Sequence, residues 1–457
     1  MQSTEKSHSS TVAEGLHTTG NAIDPVNTLH EHSASPAVVR CSLISVIIFL
    51  AAHVAFLAGL STPEKFVFDE VHYVPAARQM LEQNPEGPML NPMHPPLAKQ
   101  IIALSIYFLG DSAFGWRYPA TVFGALSVVA IYLCALALFA RQSEAIAACL
   151  IAFFNQMLFV QARIAMLDIF ALAFALFGIA AFLHGYRKTR PHALFAAAGV
   201  CFGFSASCKW SGLFPLATAI LIVGVIKLML RWRTQFADGN EADWYRPDLW
   251  PGFRPHHFAA CFVVLPAAAY LASFVVLYGF SPSDLIEAQR RIFADNTTTA
   301  IAGHTYMSSW PSWPFLIRPV WYLFDKADDD SIAAIVLLGN PLVLWPALLA
   351  LARALRDWIV ARGADAFLVL AFYFGPYLAW ALLPRTLGFL YYYLPAATTA
   401  ALALVYALTR EGMPRWLLWA CVVVAGAGFA AMLPISAAFV GTSMETFNRL
   451  MLFQSWI

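Results

Sequence analysis

The sequence predicts an all-α polytopic membrane protein with about eleven transmembrane helices. Of its 457 residues, 60% are hydrophobic and only 12% are charged, whereas a soluble domain is typically about 25% charged. The mean hydropathy is +0.64. Apolar runs of about 20 residues recur along the chain, and each is long enough to cross a bilayer at about 1.5 Å per residue. This composition excludes a soluble multidomain protein.

Two long segments, 61–115 and 281–332, separate helices that are otherwise joined by short connections. Within the first segment, residues 97–110 are apolar but too short for a span, so they are predicted to form an interfacial helix. The polar residues 1–36 are expected to be a disordered cytoplasmic tail. Residues 37–457 then form a single membrane-embedded domain. The transmembrane helices are predicted at 38–60, 116–139, 143–161, 165–186, 192–208, 211–231, 257–280, 333–353, 365–384, 388–408 and 414–434.

Lys and Arg residues are distributed unequally between the two sides of the predicted bundle. Cytoplasmic connections carry an excess of basic residues, and Arg187, Lys188 and Arg190 form such a cluster in one connection. Placing this side in the cytoplasm puts the N-terminus inside and both long segments outside. The chain is therefore predicted to be a multi-pass protein of the inner (plasma) membrane. Its net charge of +1 gives no indication of a nucleic-acid partner.

Two adjacent carboxylates, Asp69 and Glu70, open the first outer segment directly after hydrophobic residues. Charged groups near the hydrocarbon region are costly and are usually retained for a function. Desolvation there would raise the pKa of a carboxyl group and make its carboxylate a better base. The alternative is that the pair caps the N-terminus of a helix predicted at 70–83, where acidic residues favour the helix dipole.

Three basic residues on the outer side stand alone in apolar sequence: Arg163, Lys209 and Arg385. The positive-inside rule disfavours these positions, and a phosphate group would give such cations a partner. In the other interpretation, Arg163 pairs with Asp168 and the remaining two side chains extend to lipid headgroups. We favour phosphate binding for Arg163 and Arg385, and both interpretations stay open for Lys209.

Histidines of the first outer segment, His72 and His94, are potential metal ligands. A single His is more often a hydrogen-bonded structural residue, however, and the seven cysteines show neither CxxC nor Cys/His ligand spacing. We therefore expect no metal site.

Several segments resemble, in their order along the chain, the protein O-mannosyltransferase family, which belongs to the GT-C superfamily of polytopic glycosyltransferases. Any one of these motifs is weak, whereas the ordered set over roughly residues 40–410 is specific. The matching segments are FDEVHY (68–73), HPPLAK (94–99), RIAMLD (163–168), CKWSGLF (208–214), HTYMS (304–308) followed by Arg318-Pro319, and Gly339-Asn340-Pro341.

The resemblance implies a GT-C fold of eleven transmembrane helices with the active site at the outer membrane face. It implies a polyprenyl-phosphate-linked sugar, usually mannose, as the donor. The implied acceptor is a Ser or Thr hydroxyl of a translocated protein, and the anomeric configuration inverts. No cofactor or divalent metal is expected, because the lipid-linked sugar is a co-substrate. Some family members work as dimers, so a dimer is compatible with the resemblance.

The resemblance also implies roles for individual residues of this chain. Asp69 takes the role of the general base and Glu70 supports it, while Arg163 holds the donor phosphate. The other residues that the resemblance and the isolated charges assign to donor or substrate binding are His94, Lys99, Asp168, Lys209, His304, Tyr306 and Arg385.

The sequence departs from the family pattern in three places. Eukaryotic members carry a soluble sugar-binding-like domain in the second long segment, and residues 281–332 are too few to form one. This indicates a bacterial-type enzyme with its outer segments in the periplasm or at the cell exterior. Asn91-Pro92-Met93 stands where an acidic residue often precedes the His-Pro-Pro element, and Ala98 replaces the usual Gly.

Two competing functions are considered. A related GT-C transferase could move a sugar such as aminoarabinose from a lipid carrier to lipid A or a glycan, and it would share the Asp-Glu segment and the helices. The His304 to Ser308 element and the two Trp-Pro pairs favour the mannosyltransferase. A transporter would usually show charged residues within its helices and an internal repeat, and neither is apparent in this sequence.

Overall fold

The structure is a computed structural model of the chain. It describes residues 36–82, 89–233, 243–245, 249–298, 303–327, 330–383 and 387–457. Contacts divide the chain into residues 1–43, of which only the start of the first helix is described, and residues 44–457, which contain the rest of the fold. The predicted tail at 1–36 lies almost entirely outside the described residues.

Helices dominate the part of the chain that the structure describes. A π-helical turn at Ala260–Val264 joins α10 and α11 into one continuous helix. The α-helices are α1 (Pro36–Leu57), α2 (Glu70–Gln79), α3 (Leu97–Leu109), α4 (Ala113–Phe139), α5 (Gln142–Phe153), α6 (Gln156–Gln161), α7 (Leu167–Tyr186), α8 (His192–Cys208), α9 (Leu213–Arg233), α10 (Pro255–Ala259), α11 (Leu265–Tyr278), α12 (Pro282–Thr298), α13 (Pro341–Ala361), α14 (Ala364–Leu382), α15 (Leu394–Leu408), α16 (Trp416–Ser436) and α17 (Met444–Leu450).

Eight helical segments among the described residues are long and apolar enough to cross a membrane. Each coincides with one of the eleven predicted spans, so the polytopic fold class is confirmed. The eight segments are Arg40–Leu57, Ala113–Phe139, Leu167–Tyr186, Trp210–Arg231, Pro255–Tyr278, Ala364–Leu382, Leu390–Leu408 and Trp416–Ser436.

The three remaining predicted spans are shorter, interrupted or more polar. Helix α8 has 17 residues. The predicted span 143–161 is broken into α5 and α6 at Asn155. The Asn155 side chain accepts a hydrogen bond from Met157 N at the start of α6 and donates one to the carbonyl oxygen of Ala397. A buried Asn that caps a new helix interrupts the old one, and this capping was not anticipated from the apolar run.

The predicted helix at 333–353 is wrong in its first part. Residues Val320–Lys326 (β1) and Ser331–Leu337 (β2) form an antiparallel hairpin, and a short strand, Thr442–Ser443 (β3), pairs with β2. Helix α13 begins only at Pro341, where the Asn340 side chain accepts a hydrogen bond of 3.0 Å from Leu342 N. The apolar run is continuous through strand and helix, so periodicity did not separate them.

Helix α3 covers the segment 97–110 that was predicted to be an interfacial helix. Ile102 and Ile106 are buried against the bundle, whereas Leu104, Tyr107 and Phe108 are exposed. This two-sided pattern is typical of a helix at a boundary between protein and an apolar surface.

The core is built around α7, which packs along both α4 and α8. Small residues permit close contact in this region. A Cβ on Gly178 of α7 would lie 2.5 Å from the Phe202 ring of α8, so only glycine fits there. The chain connections at one end of α7 and α8, residues 162–166 and 209–212, border the candidate site.

Candidate active site

Asp69 stands directly before helix α2. Its side chain makes no hydrogen bond to the helix N-terminus, so helix capping is not its role in the structure. Its Oδ2 accepts a hydrogen bond of 3.3 Å from the Tyr73 hydroxyl. The preceding residue, Phe68, has a left-handed φ of +51° and stacks on Tyr322 with 4.3 Å between ring centroids. The stacked ring stabilises the unusual backbone conformation that precedes Asp69.

Burial raises the pKa of the Asp69 carboxyl above its ordinary value. The charges of Lys209 and His72 act in the opposite direction, while the negative charge of Asp168 raises the pKa further. A carboxylate with a raised pKa is a stronger base once it is deprotonated. The electrostatic influence of Lys209 and Asp168 also places both side chains in the neighbourhood of Asp69.

Glu70 is completely buried and joins three parts of the chain. Its carboxylate accepts hydrogen bonds of 2.8 Å from Val67 N and 2.9 Å from Ala165 N. It also accepts two bonds of 2.8 Å from the Arg117 guanidinium. The other Arg117 donors bind carbonyl oxygens of the chain before α2, those of Leu60, Pro63 and Lys65. Glu70 thus fixes the backbone around Asp69.

Asp168 and Lys209 form a buried ion pair. The Lys209 ammonium lies 2.9 Å from each carboxylate oxygen of Asp168, so Asp168 pairs with Lys209 and not with Arg163. The ammonium also lies 5.0 Å from the ring centroid of Tyr391 and 5.2 Å from that of Tyr392. One carboxylate and two aromatic rings therefore enclose the Lys209 ammonium.

A glycine explains how the Lys209 segment approaches its neighbours. Lys209 ends α8, and a short turn at Trp210–Gly212 leads into α9. A Cβ on Gly212 would lie 2.4 Å from the carbonyl carbon of Ser205, so only glycine permits this turn to fold back on α8. The motif CKWSGLF therefore has a packing requirement as well as a charge.

A narrow cleft opens beside the Asp168 carboxylate. Trp380 and Tyr392 stack with 4.3 Å between their ring centroids on one wall. The other lining residues are small or apolar: Ala171, Leu172, Ala175, Ser205, Ser211, Gly212, Phe214, Pro215, Tyr391, Leu394 and Pro395. The cleft has a charged end and an apolar body, which suits an amphipathic ligand.

His304 and Tyr306 lie toward the surface above this cluster. The His304 ring is 5.2 Å from Phe389, and Phe389 stacks on Tyr391 at 5.3 Å. The His304 Nδ1 accepts a hydrogen bond of 3.2 Å from Tyr306 N. A chain of rings therefore connects exposed His304 to the Lys209 environment, so the structure brings this predicted residue near the site.

Lys99 and His94 lie on the other side of Tyr73. The Lys99 side chain is only 1% exposed and donates to the carbonyl oxygens of Asn91 at 2.6 Å and His94 at 2.9 Å. Burial lowers the pKa of Lys99 to about 7. The His94 ring lies 6.0 Å from the Tyr73 ring. These contacts show Lys99 holding the 91–94 turn behind the Tyr73 side chain.

The other two predicted phosphate ligands are not part of this cluster. Arg163 donates a hydrogen bond of 2.6 Å to the Phe56 carbonyl oxygen and lies in a separate cavity with Arg117. Arg385 lies outside the described residues.

Several residues of the site were missed from the sequence. Arg117 lies in the predicted span 116–139, and a charged residue inside an apolar span is a signal for a functional or paired group. Tyr322, Trp380 and Tyr392 had no comparable signal, because aromatic residues are common throughout this chain. Within the described ranges, no group of three or more His, Cys, Asp or Glu side chains is placed to hold a metal ion.

Family models match nearly the whole membrane domain. Residues 46–278 match the model of dolichyl-phosphate-mannose-protein mannosyltransferase, and residues 281–456 match the C-terminal four-helix membrane region of protein-O-mannosyltransferase. The chain belongs to the protein O-mannosyltransferase family. The resemblance that the ordered motifs indicated is therefore confirmed, and this family member is a glycosyltransferase. The two family models favour a protein O-mannosyltransferase over the related transferase that acts on lipid A.

Named relatives of this O-mannosyltransferase family member come from bacteria and eukaryotes. It is 27% identical over 433 residues to the polyprenol-phosphate-mannose--protein mannosyltransferase of Mycolicibacterium smegmatis. The alignment covers 80% of this chain and 80% of the relative. The dolichyl-phosphate-mannose--protein mannosyltransferase 1 of Saccharomyces cerevisiae is 27% identical over 209 residues, 40% of this chain and 24% of the relative.

Solved structures confirm that the O-mannosyltransferase family member has a GT-C fold. It superposes on a chain of the S. cerevisiae Pmt1-Pmt2 complex bound to the sugar donor with a TM-score of 0.72 and 15% identity, over 92% of this chain and 93% of that one. It superposes on ArnT from Cupriavidus metallidurans with a TM-score of 0.54 and 14% identity, over 87% and 64% of the chains. At this identity the likeness concerns the fold alone.

Proposed function

We propose that the chain transfers a mannosyl-type sugar from a polyprenyl-phosphate carrier to Ser or Thr hydroxyls of translocated proteins. The observation that carries the proposal is the half-buried Asp69 carboxylate, whose raised pKa responds to the Lys209–Asp168 pair at the charged end of an apolar cleft. Family membership and the name of the mycobacterial relative support the donor and the acceptor class.

The proposed reaction is a single displacement. Asp69 accepts the proton of the acceptor hydroxyl as the oxygen attacks the anomeric carbon from the face opposite the phosphate. The bond between the anomeric carbon and the phosphate oxygen breaks, and polyprenyl phosphate leaves. Attack from the opposite face inverts the anomeric configuration. The reaction needs the lipid-linked sugar as co-substrate and no cofactor or divalent metal.

We assign the donor phosphate to Lys209, because its ammonium pairs with Asp168, which lines the cleft. Asp168 orients this ammonium and balances its charge before the donor binds. Negative charge that develops on the leaving phosphate is then stabilised by a cation already in position. The apolar body of the cleft takes the first units of the polyprenyl chain. Donor contacts of Arg163 and Arg385 stay predictions.

The acceptor is proposed to reach Asp69 from the outer side. His304 and Tyr306 lie above the ring chain that leads to Tyr391, and they are suited to contact the polypeptide. His94 and Lys99 fix the turn that packs on Tyr73. An assembly of two chains also remains a prediction for this protein, and the Pmt1-Pmt2 complex provides a precedent for it.

The proposal is tested with the full chain purified in detergent. Radiolabelled mannose on polyprenyl phosphate is supplied as the donor together with a peptide rich in Ser and Thr, and label in the peptide is counted. Transfer of label to the peptide is the expected result. Label transferred only to lipid A, or transfer only from an aminoarabinose donor, would contradict the proposal.

The outer location of the site has its own test. Ser309 is exposed in the second long segment and is followed by the Trp-Pro pairs. A Ser309→Cys variant is expected to react with a membrane-impermeant maleimide added to intact cells, because the segment lies outside. Wild type, whose cysteines are buried or half-buried, is the control. Labelling that requires permeabilised membranes would place the segment in the cytoplasm.

The Tyr73 hydroxyl is expected to lower the pKa of the Asp69 carboxyl. Its hydrogen bond stabilises the charged form of Asp69, so Tyr73→Phe raises the Asp69 pKa further. The acid limb of the kcat profile then moves to higher pH by roughly half a unit to one unit, since a hydrogen bond is worth about 1 kcal/mol and one pKa unit about 1.4 kcal/mol. An unchanged limb, or a shift to lower pH, would show that Tyr73 does not act on the base.

A further inference from the structure

Tyr322 lies at an irregularity in the hairpin of β1 and β2. The neighbouring residues Trp321 and Leu323 pair with consecutive residues of β2, so Tyr322 itself is left without a partner there. This is the pattern of a β-bulge, in which one extra residue on a strand changes the direction of its side chain. Tyr322 and Leu323 are consecutive and both buried, which breaks the alternation of a regular strand. The bulge therefore turns the Tyr322 ring inward.

The Tyr322 ring borders both charged parts of the candidate site. It stacks on Phe68, which directly precedes Asp69, with 4.3 Å between the ring centroids. Its centroid also lies 6.5 Å from that of Tyr391. The Lys209 ammonium is 5.0 Å from the Tyr391 ring. Tyr322 is therefore adjacent to the surroundings of the proposed base and to those of the proposed phosphate ligand.

The Tyr322 hydroxyl has a hydrogen-bond donor but no acceptor among the described residues. Gln161, the last residue of α6, donates a hydrogen bond of 2.9 Å from its side-chain nitrogen to the hydroxyl oxygen. With the Gln161 carboxamide in this orientation, the hydroxyl hydrogen must point to another group. Tyr322 is only 5% exposed, so a hydrogen without an acceptor is costly there. A buried donor of this kind beside an active site indicates a bond to a substrate.

Two carboxylates act on the Tyr322 hydroxyl. Burial raises its pKa well above the ordinary value of a tyrosine, and the negative charges of Asp168 and Asp69 raise it further. The hydroxyl therefore keeps its proton at neutral pH and remains a donor. The influence of both carboxylates agrees with the ring contacts, which place Tyr322 next to both parts of the site.

The Tyr322 hydroxyl can be assigned to one group of the sugar. In the proposed displacement, the anomeric carbon reacts between Asp69 and the phosphate on Lys209, and its ring neighbours are C2 and the ring oxygen. A hydrogen bond to the ring oxygen would oppose the oxocarbenium character of the transition state, whereas a bond to the C2 hydroxyl strengthens there. We infer, on the basis of the proposed function, that Tyr322 donates a hydrogen bond to the C2 hydroxyl of the transferred sugar. Tyr322 is then a specificity-determining residue for that sugar.

The test uses the full chain in detergent with two donors, polyprenyl-phosphate-mannose and its 2-deoxy analogue. Label transferred to the peptide at limiting donor gives kcat/KM for each donor, with wild type and with Tyr322→Phe. The preference of wild type for mannose over the 2-deoxy sugar is expected to exceed that of Tyr322→Phe by about tenfold, the effect of one hydrogen bond. The intrinsic reactivity of the two donors is the same for both proteins, so it cancels in this comparison.

Tyr270→Phe is the matched control. Tyr270 is also paired with a glutamine, but its hydroxyl accepts a hydrogen bond of 3.0 Å from Trp210 Nε1 and donates one of 2.6 Å to Gln289 Oε1. Because this hydroxyl already has a donor and an acceptor, Tyr270→Phe is expected to keep the wild-type preference. Tyr322→Phe retains the ring that stacks on Phe68, so its thermal midpoint is expected to stay close to that of wild type.

A measurement on wild type alone examines the same contact. Glucose differs from mannose only in the direction of the C2 hydroxyl. Wild type is expected to transfer mannose at least about tenfold faster than glucose from the same carrier, because a site that binds a hydroxyl in one direction discriminates against the other. This difference is expected to be smaller in Tyr322→Phe.

Two results would contradict the role of Tyr322. One is an equal preference for mannose over the 2-deoxy sugar in wild type and folded Tyr322→Phe. The other is transfer of mannose and glucose by wild type at equal rates. Absence of any mannose transfer by wild type would instead contradict the proposed function, and with it the assignment of the C2 hydroxyl, so the two proposals fail at different measurements.

Discussion

Asp69→Asn is expected to reduce sugar transfer by at least about 100-fold, since a positioned general base typically contributes 100-fold or more. The amide has nearly the same shape, so the packing around Phe68 and Tyr73 is preserved, but it cannot accept the proton of the acceptor hydroxyl. The loss is measured as radiolabel in the peptide at saturating donor and acceptor. Donor affinity is expected to change little, because the donor phosphate is assigned to Lys209.

The matched control for Asp69→Asn is Asp111→Asn. Asp111 is an exposed carboxylate that pairs with Arg78 in the same first outer segment. Its substitution is expected to leave transfer near the wild-type rate. Wild-type activity should also fall as the pH drops through the raised pKa of Asp69, because the base works in its deprotonated form. Equal rates for Asp69→Asn and wild type would remove Asp69 from the mechanism.

Glu70→Ala is expected to destabilise the fold strongly. The substitution leaves Val67 N, Ala165 N and the buried Arg117 guanidinium without their acceptor. Removing one partner of a buried ion pair typically costs about 3–5 kcal/mol. The thermal midpoint in detergent should therefore fall markedly, and activity should fall with it because the segment before Asp69 is no longer fixed.

An exposed ion pair provides the comparison for Glu70→Ala. The Lys65–Asp325 pair has side-chain exposures of 57% and 42%, so Asp325→Ala is expected to cost no more than about 1 kcal/mol. The double variant Glu70→Leu/Arg117→Met removes both charges and should recover part of the thermal midpoint without restoring full activity. A Glu70→Ala midpoint equal to that of Asp325→Ala would show that the buried pair does not support the fold.

Much of the candidate site was accessible from the sequence because its residues occur in short ordered motifs. Asp69 and Glu70 were found as adjacent carboxylates at a predicted membrane boundary. Lys209 was found as an isolated cation on the outer side. The resemblance implied separate roles for them, but the two residues alone did not, because both are carboxylates at neighbouring positions and differ mainly in their surroundings. Glu70 forms a buried ion pair with Arg117, which is 47 positions away in the chain.

The membrane class and the approximate positions of most spans were determined by the sequence alone. Hydrophobic run length is a local property, and the bilayer requires about 20 apolar residues for each crossing. Run length did not predict the break at Asn155 or the hairpin at 320–337. Asn155 and the second strand of the hairpin both lie in apolar sequence, so run length did not distinguish them from a continuous span. Asn155 donates to the carbonyl oxygen of distant Ala397, and the second strand pairs with β1 and with distant β3.

Only the tertiary structure decided which charged side chains form ion pairs. Asp168 could have paired with nearby Arg163, but it pairs with Lys209, because the ends of α7 and α8 pack side by side. Arg163 is directed instead to the ends of α1 and α16. Residue type and local spacing limit which groups can form a pair. Packing of distant helices then selects one pair, because it brings the ends of helices that are far apart in the sequence within ion-pair distance.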